Sequence, residues 1–97
     1  MVMPAYIIIT KEKTRDPEAL GRYVAQHEQF IAGHALTYRA RFGRCETVEG
    51  ASAEGAAILE FPSFADAKAW YASEPYQRAS RDRYLGGDYR FVIVDGV

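Results

Sequence analysis

Cysteine is almost absent from this chain. The single Cys45 among 97 residues cannot form an internal disulfide, and a reducing compartment suits it. Long apolar runs are missing as well, since none approaches the roughly 20 residues needed to cross a bilayer. Residues 1–4 lack the charged start and long apolar run of a signal peptide. These absences predict a cytoplasmic protein with no membrane partner and an inert, partly buried thiol.

An excess of charge of one sign is also lacking. Twelve Lys and Arg residues against thirteen Asp and Glu residues give a formal net charge of −1. Such a balance gives no general attraction to nucleic acid or to anionic lipid. Arg78, Arg81 and Arg83 form a small basic patch interrupted by Asp82, a pattern typical of a solvated helix face. We therefore expect no nucleic-acid partner.

The sequence contains no cluster of metal-ligating residues. If the first predicted helix runs straight from His27 to His34, seven residues at ~1.5 Å each place the two histidines about 10 Å apart, too far to share one ion. No group of His, Cys and Asp side chains accompanies either histidine. We expect no metal, no haem and no other cofactor, and we interpret both histidines as structural or solvated.

Apolar and aromatic residues, in contrast, are plentiful. The chain is 48% hydrophobic and contains seven Tyr and five Phe residues, which is too apolar for a disordered segment. No repeat or linker divides it, so residues 1–97 are predicted to form a single domain. A domain of this size buries only roughly 60–65% of its unfolded surface, so a second subunit would help to stabilise it.

The first third of the chain predicts a strand followed by a helix. Residues 5–10 are β-branched or aromatic and apolar on both alternating faces, which indicates a strand covered on both sides. After a polar loop at residues 11–15, Asp16 and Pro17 are typical of a helix N-terminus, and Gly33 is typical of its C-terminal cap. The apolar stripe predicted for this helix consists of Leu20, Val24, His27 and Ile31, with Tyr23 and Phe30 at its edge.

The middle of the chain predicts two more strands. The second covers residues 36–42 and resumes to Glu49 after an irregularity at Gly43. The third covers residues 56–61 and is stopped by Pro62.

The last third predicts a broken helix and a final strand. Ser63 is typical of an N-cap, and Phe64, Ala67 and Tyr71 form the buried stripe. A second helical piece covers residues 75–84, and the last strand covers residues 89–94.

The predicted order is βαββαβ. Two right-handed crossovers then give an α+β, ferredoxin-like fold, in which a four-stranded antiparallel sheet carries the helices on one face. The other face must be covered, because Ile8, Ile58 and Phe91 together would expose a large apolar patch. The simplest cover is the same face of a second copy, so the prediction is a two-fold homodimer.

One run of sequence carries a family resemblance. Residues 60–77 read Glu-Phe-Pro-Ser-Phe-Ala-Asp-Ala-Lys-Ala-Trp-Tyr-Ala-Ser-Glu-Pro-Tyr-Gln. Other matching pieces are Pro4-Ala5-Tyr6, Asp16-Pro17-Glu18, Tyr38, Arg41, Gly43, Glu46, Glu49-Gly50 and Val92-Ile93-Val94. In their order and spacing they resemble the bacterial domain-of-unknown-function 1330 family. That family belongs to the dimeric α+β barrel superfamily, and the resemblance implies a fold and an assembly but no reaction.

The chain departs from the family pattern around the second strand. Ala35-Leu36 stands where members usually carry a Gly-Gly pair, and Phe42 stands in place of the first glycine of an Arg-Gly-Gly run. Arg39 occupies a usually apolar position. A pocket near this strand could therefore be reshaped in this protein.

Arg41 and Glu60 are the first candidate site residues, because both lie in predicted strands amid Ile, Val and Phe. A guanidinium in an apolar cleft needs a carboxylate or an anionic ligand. Either the two residues bind a small carboxylate or enolate, with Glu60 as proton acceptor, or they form a structural ion pair at the subunit interface. Strand alternation places Arg41 on the same face as Arg39, opposite Tyr38 and Phe42, toward the dimer cavity.

Aromatic residues are the second candidate set. A pocket for an aromatic ligand could be lined by Tyr6, Tyr38, Trp70, Tyr71 and Tyr76, although aromatics at such spacings are commonly core.

Two function classes remain open. One is a small-molecule-binding protein or a cofactor-free enzyme, resembling the oxygenases, isomerases and decarboxylases of the superfamily. The other is a dimeric interaction or regulatory module without catalysis. An open cleft that holds Arg41 between sheet and helices would favour the first class, and a filled core would favour the second.

Overall fold

The computed structural model describes residues 3–97, which form four strands and four helices. The strands are β1 (Ala5–Thr14), β2 (Thr37–Arg41), β3 (Gly55–Phe61) and β4 (Gly87–Asp95). The helices are α1 (Pro17–Ala25), α2 (His27–Ile31), α3 (Phe64–Ala72) and α4 (Glu74–Gly86). No helix in this part of the chain is long and apolar enough to cross a membrane.

The sheet has the order β2-β3-β1-β4, and every neighbouring pair is antiparallel. β1 lies at the centre, where Ile7 is opposite Leu59 of β3 on one side and Ile93 of β4 on the other. The predicted ferredoxin-like α+β fold is confirmed. Its edge strands are β2 and β4, so the backbone of β2 is paired on one side only.

The core lies between one face of the sheet and the helices. Ile7, Leu59 and Phe61 point to this side and are at most 2% exposed. Trp70 and Tyr76 pack on them from α3 and α4, and the Trp70 indole N–H donates to the Phe30 carbonyl oxygen at 2.9 Å. This bond ties α3 to α2, because an indole buried in an apolar core requires an acceptor.

Helix ends follow the sequence signals. The Asp16 carboxylate accepts from the amides of Glu18 and Ala19, and the Ser63 hydroxyl accepts from the amide of Asp66. Gly33 has φ 78°, the left-handed conformation that favours glycine after a helix.

The first helical segment, however, is not continuous. It breaks at Gln26, whose amide side chain donates to the Arg22 carbonyl oxygen and to Asp82 of α4, each at 3.1 Å. The buried face of this segment also differs from the predicted one. Val24, predicted within the apolar stripe, is 63% exposed, whereas Phe30, predicted at its edge, is buried. In α3, likewise, Trp70 is buried while Phe64 is partly exposed.

The strand ends differ from the prediction as well. β1 continues through residues 11–14, which were predicted as loop, and Glu54 accepts from the amide and hydroxyl of Thr14 at its end. β2 stops at Arg41, and residues 42–54 form no strand, so the predicted continuation to Glu49 is wrong. Cys45 lies in this segment and is exposed rather than partly buried.

The outer face of the sheet, away from the helices, carries two of the three predicted apolar residues, Ile8 and Ile58, but not Phe91. Ile8, Val92 and Val94 are each 40–44% exposed there. Phe91 is on the other side, because it is opposite the buried Ile9 and packs its ring on Tyr76 at 6.1 Å between ring centroids. Placing Phe91 on the outer face was therefore wrong by one residue of strand alternation.

Candidate functional site

A partly open cavity of about 270 Å³ lies between the sheet and the first two helices. Its floor consists of buried residues, and its mouth is marked by the exposed Val24, Arg41 and Phe42. The full lining is Ile9, Tyr23, Val24, His27, Phe30, Tyr38, Arg41, Phe42, Ala57, Leu59, Trp70, Tyr89 and Phe91. One arginine therefore lies at the edge of a mainly aromatic and aliphatic space.

A bulge in β2 brings Arg41 to this cavity. Tyr38 is opposite Leu59, but Ala40 is opposite Ile58, so Arg39 is one extra residue in the strand. Beyond the bulge the alternation is reversed, and Arg41 is opposite the buried Ala57. The prediction that Arg39 and Arg41 share a face is wrong, because it assumed an unbroken period of two.

Arg41 is exposed and has no carboxylate within 4 Å among residues 3–97. Its guanidinium lies over the Tyr38 ring, 4.5 Å from the ring centroid. Such a cation–π contact holds the charge in place and leaves its N–H groups free to bind an anion.

Glu60 lies on the outer face instead. It accepts a hydrogen bond from Arg39 Nε at 2.9 Å, and this bond holds the pKa of the Glu60 carboxyl below its ordinary value. Tyr6 is its neighbour on β1 in the sheet register. The predicted pairing of Arg41 with Glu60 is thus not the one in the structure, and Glu60 and Tyr6 are apart from the cavity.

Tyr38 forms the wall of the cavity together with His27. The His27 Nε2 atom and the Tyr38 hydroxyl are 2.7 Å apart, and the two rings stack at 5.7 Å between centroids. Burial raises the pKa of Tyr38, and the nearby Arg41 charge opposes that rise. An imidazole bonded to a phenol can pass a proton between its partner and a bound molecule. The interpretation of His27 as structural or solvated therefore left out its place in the cavity.

Of the other predicted aromatics, Trp70 lies in the floor and Tyr76 lies behind it. The Tyr76 ring packs on Trp70 at 4.2 Å between centroids, and its hydroxyl is 2.9 Å from that of Tyr23, which lines the cavity. Burial raises the pKa of Tyr76 to about 12, against the opposing charge of Arg83. Burial, followed by the neighbouring Tyr76, also raises the pKa of Tyr23 above its ordinary range.

Phe42 is strained at the mouth of the cavity. Its φ of 52° is in the left-handed region, which costs a non-glycine residue about 1–2 kcal/mol. Its amide donates to the Ala56 carbonyl oxygen at 2.8 Å, and its ring lies against Gly55, where a Cβ atom would be 3.0 Å from the ring. These two contacts fix the ring over the opening. The sequence hinted at this position only through its departure from a glycine pattern.

A metal centre does not arise from these residues. No group of three His, Cys, Asp or Glu side chains that could hold an ion occurs in the described range. The cavity offers hydrogen-bonding and cationic groups instead.

Comparison with solved structures identifies the same fold in bacterial proteins. A Rhodopseudomonas palustris protein of unknown function matches with TM-score 0.72 at 14% identity, covering 100% of this chain and 85% of that one. A dimeric ferredoxin-like protein of unknown function from Thermobifida fusca matches with TM-score 0.65 at 12% identity, over 99% and 93% of the two chains. A Nitrosomonas europaea protein, provisionally described as an antibiotic biosynthesis monooxygenase, matches with TM-score 0.60 at 19% identity, over 98% and 90%. Likeness at these identities shows the fold alone.

The sequence itself matches one family model. The model described as "Domain of unknown function (DUF1330)" covers residues 4–97. No curated protein matches the chain.

The strain at Phe42 predicts that glycine is a more stabilising substitute than alanine at this position, the reverse of the usual order. We expect Phe42→Gly to be more stable than Phe42→Ala by about 1 kcal/mol, because only glycine adopts the left-handed conformation without cost. Urea denaturation of the two variants measures the difference. At the exposed Phe64 in α3, which serves as the control, alanine should be the more stable substitute. An alanine variant at 42 at least as stable as the glycine variant would refute the strain.

Proposed function

Since the chain belongs to the DUF1330 family, whose description names no activity, we propose a function from the cavity: the protein binds a small, ring-bearing anion there. The observation that carries the proposal is Arg41, a cation without a carboxylate partner in the described chain, at the mouth of an aromatic space. A carboxylate is the planar anion that a guanidinium binds with two parallel hydrogen bonds.

The size of the cavity limits the ring. A cavity of about 150 Å³ lined by apolar side chains holds benzene, so the 270 Å³ present here accommodates one ring and one or two small substituents. Phe30, Trp70 and Phe91 offer faces and edges on which an aromatic ring packs favourably. A monocyclic aromatic carboxylate therefore fits both the charge and the volume.

Proton transfer on the bound ligand is the chemistry that the site supports best, because the Tyr38 hydroxyl and His27 are within 2.7 Å of each other in the cavity wall. This would be catalysis by the chain's own residues. A role as an interaction module is less favoured, because a filled core would be expected of it and the cavity is open.

Assembly is a separate part of the proposal. The outer sheet face exposes Ile8, Val92 and Val94 next to the half-buried Ile58, an apolar patch that a monomer would leave in water. The Thermobifida fusca neighbour is described as dimeric. We propose that two copies of this chain pack these faces together about a two-fold axis, with the cavity of each copy on the opposite side of its sheet.

Benzoate and its neutral isostere benzamide test the ligand proposal. We expect the protein to prefer benzoate, and Arg41→Met to weaken benzoate binding about tenfold or more, the value of a charge-assisted hydrogen bond. Binding to benzamide should not change. Isothermal titration calorimetry measures both. The free energy of unfolding should change by no more than about 0.5 kcal/mol, since Arg41 is exposed.

Arg44→Met is the matched control, because Arg44 is exposed, lies three residues further on and does not line the cavity. Its benzoate affinity should equal that of the unaltered protein. If the unaltered protein bound benzoate and benzamide equally, or bound neither, the anion-binding function would be wrong.

The assembly is tested by light scattering at micromolar concentration. We expect twice the 10.9 kDa of one chain, since an obligate interface buries well over ~1,200 Å² in total. Val92→Lys should yield monomers by placing a charge in the apolar interface. Val48→Lys, at an 89% exposed loop position, should leave the dimer intact. A monomeric unaltered protein would contradict the proposal.

A further inference from the structure

Arg83 is a buried cation without an acidic partner. It lies on α4, only 3% exposed, and its side chain forms no salt bridge within residues 3–97. Its guanidinium carbon is 4.4 Å from the Phe91 ring centroid and 5.3 Å from that of Tyr89, both of which line the cavity. Its Nε atom has no hydrogen-bond partner among these residues. Since a guanidinium keeps its charge in proteins, a permanent positive charge stands directly behind the cavity wall. The expectation of a solvated arginine at this position was wrong.

This charge orients the hydroxyl of Tyr76. Tyr76 and Arg83 lie seven residues apart on one face of α4, and both pack on the Phe91 ring. The charge of Arg83 opposes the rise in the pKa of Tyr76. Because the guanidinium is positively charged and only donates hydrogen bonds, the Tyr76 O–H bond is favoured to point away from it. The Tyr23 hydroxyl oxygen, 2.9 Å off, is the acceptor for that proton. The reverse direction would turn the Tyr76 proton toward a positive charge and is disfavoured.

The orientation of Tyr76 decides what Tyr23 can do. Once its oxygen accepts from Tyr76, the Tyr23 hydroxyl still has its own proton to donate. The bond to Tyr76 is the one hydrogen bond that this hydroxyl makes within the described residues. Tyr23 lines the cavity from α1, on the helix side, whereas Arg41 lines it from β2.

We propose that the Tyr23 hydroxyl is a fixed hydrogen-bond donor for an acceptor oxygen of the ligand. The inference rests on the proposed binding of a ring-bearing anion and narrows its class. The ligand is a ring carboxylate that carries a second acceptor, such as a carbonyl group, placed to reach the helix wall while its carboxylate meets Arg41. Tyr76 and Arg83 act through Tyr23 and are positioning residues.

The proposed ligand class is tested with two compounds of nearly the same shape, 4-acetylbenzoate and 4-isopropylbenzoate. Only the acetyl compound has a second acceptor oxygen. We expect the unaltered protein to bind the acetyl compound about three- to tenfold more tightly, the range of one net hydrogen bond. Tyr23→Phe should abolish this preference while leaving the affinity for the isopropyl compound unchanged. Tyr76→Phe should give an intermediate preference, because Tyr23 remains but loses the hydroxyl that orients it. Calorimetric titration measures the affinity of each of these three proteins for both probes.

Tyr84→Phe is the control, because Tyr84 also lies over Arg83, at 4.5 Å, but does not line the cavity. It should keep the full preference. Equal binding of both probes to the unaltered protein would overturn the role of Tyr23 and leave the anion-binding function standing. No binding of either probe would overturn both. A Tyr76→Phe variant as selective as the unaltered protein would overturn the orienting role of Tyr76 and Arg83.

Discussion

The register of β2 on β3 is the constraint on which the site depends. One extra residue, Arg39, separates two stretches of regular pairing and reverses the alternation of the strand. Without it Arg41 would face outward together with Arg39, and the cavity would have no cation. With it, Arg39 bonds Glu60 on the outer face and Arg41 lies over Tyr38 on the inner one. A single backbone irregularity thus places two arginines that are two positions apart, Arg39 and Arg41, on opposite sides of the sheet.

The layer between the sheet and the helices is aromatic and contains two arginine charges, one at the surface and one buried. Arg41 is at the mouth, and Arg83 is buried among Phe91, Tyr89 and Tyr84. A buried charge without a counter-ion is costly in a folded protein. These ring faces offset part of that cost, and the positive potential that remains favours an anion in the adjacent cavity. Under the proposed binding of an anion, Arg83 would lower the stability of the fold and favour the ligand at the same time.

Much of the architecture followed from sequence, and the reasons for the exceptions are local. Asp16-Pro17, Ser63 and Gly33 are chemical signals of helix ends, and the structure has helix ends at each of them. At the break, Gln26 donates a hydrogen bond to Asp82, 56 residues away, a contact that no local pattern contains.

Only part of the candidate site could be predicted from the sequence. Arg41, Tyr38 and Trp70 were named as candidates because charge and aromaticity are visible in sequence, and all three line the cavity. The sequence did not show which of these residues lie together. The bulge in β2 changes which side chains share a face, and a bulge depends on backbone pairing that the sequence does not reveal. Tyr23 and His27 were missed as cavity residues, since the helix that carries them turns at a break that propensity does not reveal.

Methyl NMR of isoleucine-labelled protein titrated with benzoate tests the central claim most directly. Ile8 and Ile9 are adjacent in β1 but point to opposite faces, Ile8 to the outer face and Ile9 to the cavity floor. If the ring binds in the cavity, its ring current will shift the Ile9 methyl signals and leave those of Ile8 in place. Shifts at Ile8 with none at Ile9 would place the ligand on the outer sheet face and contradict the account.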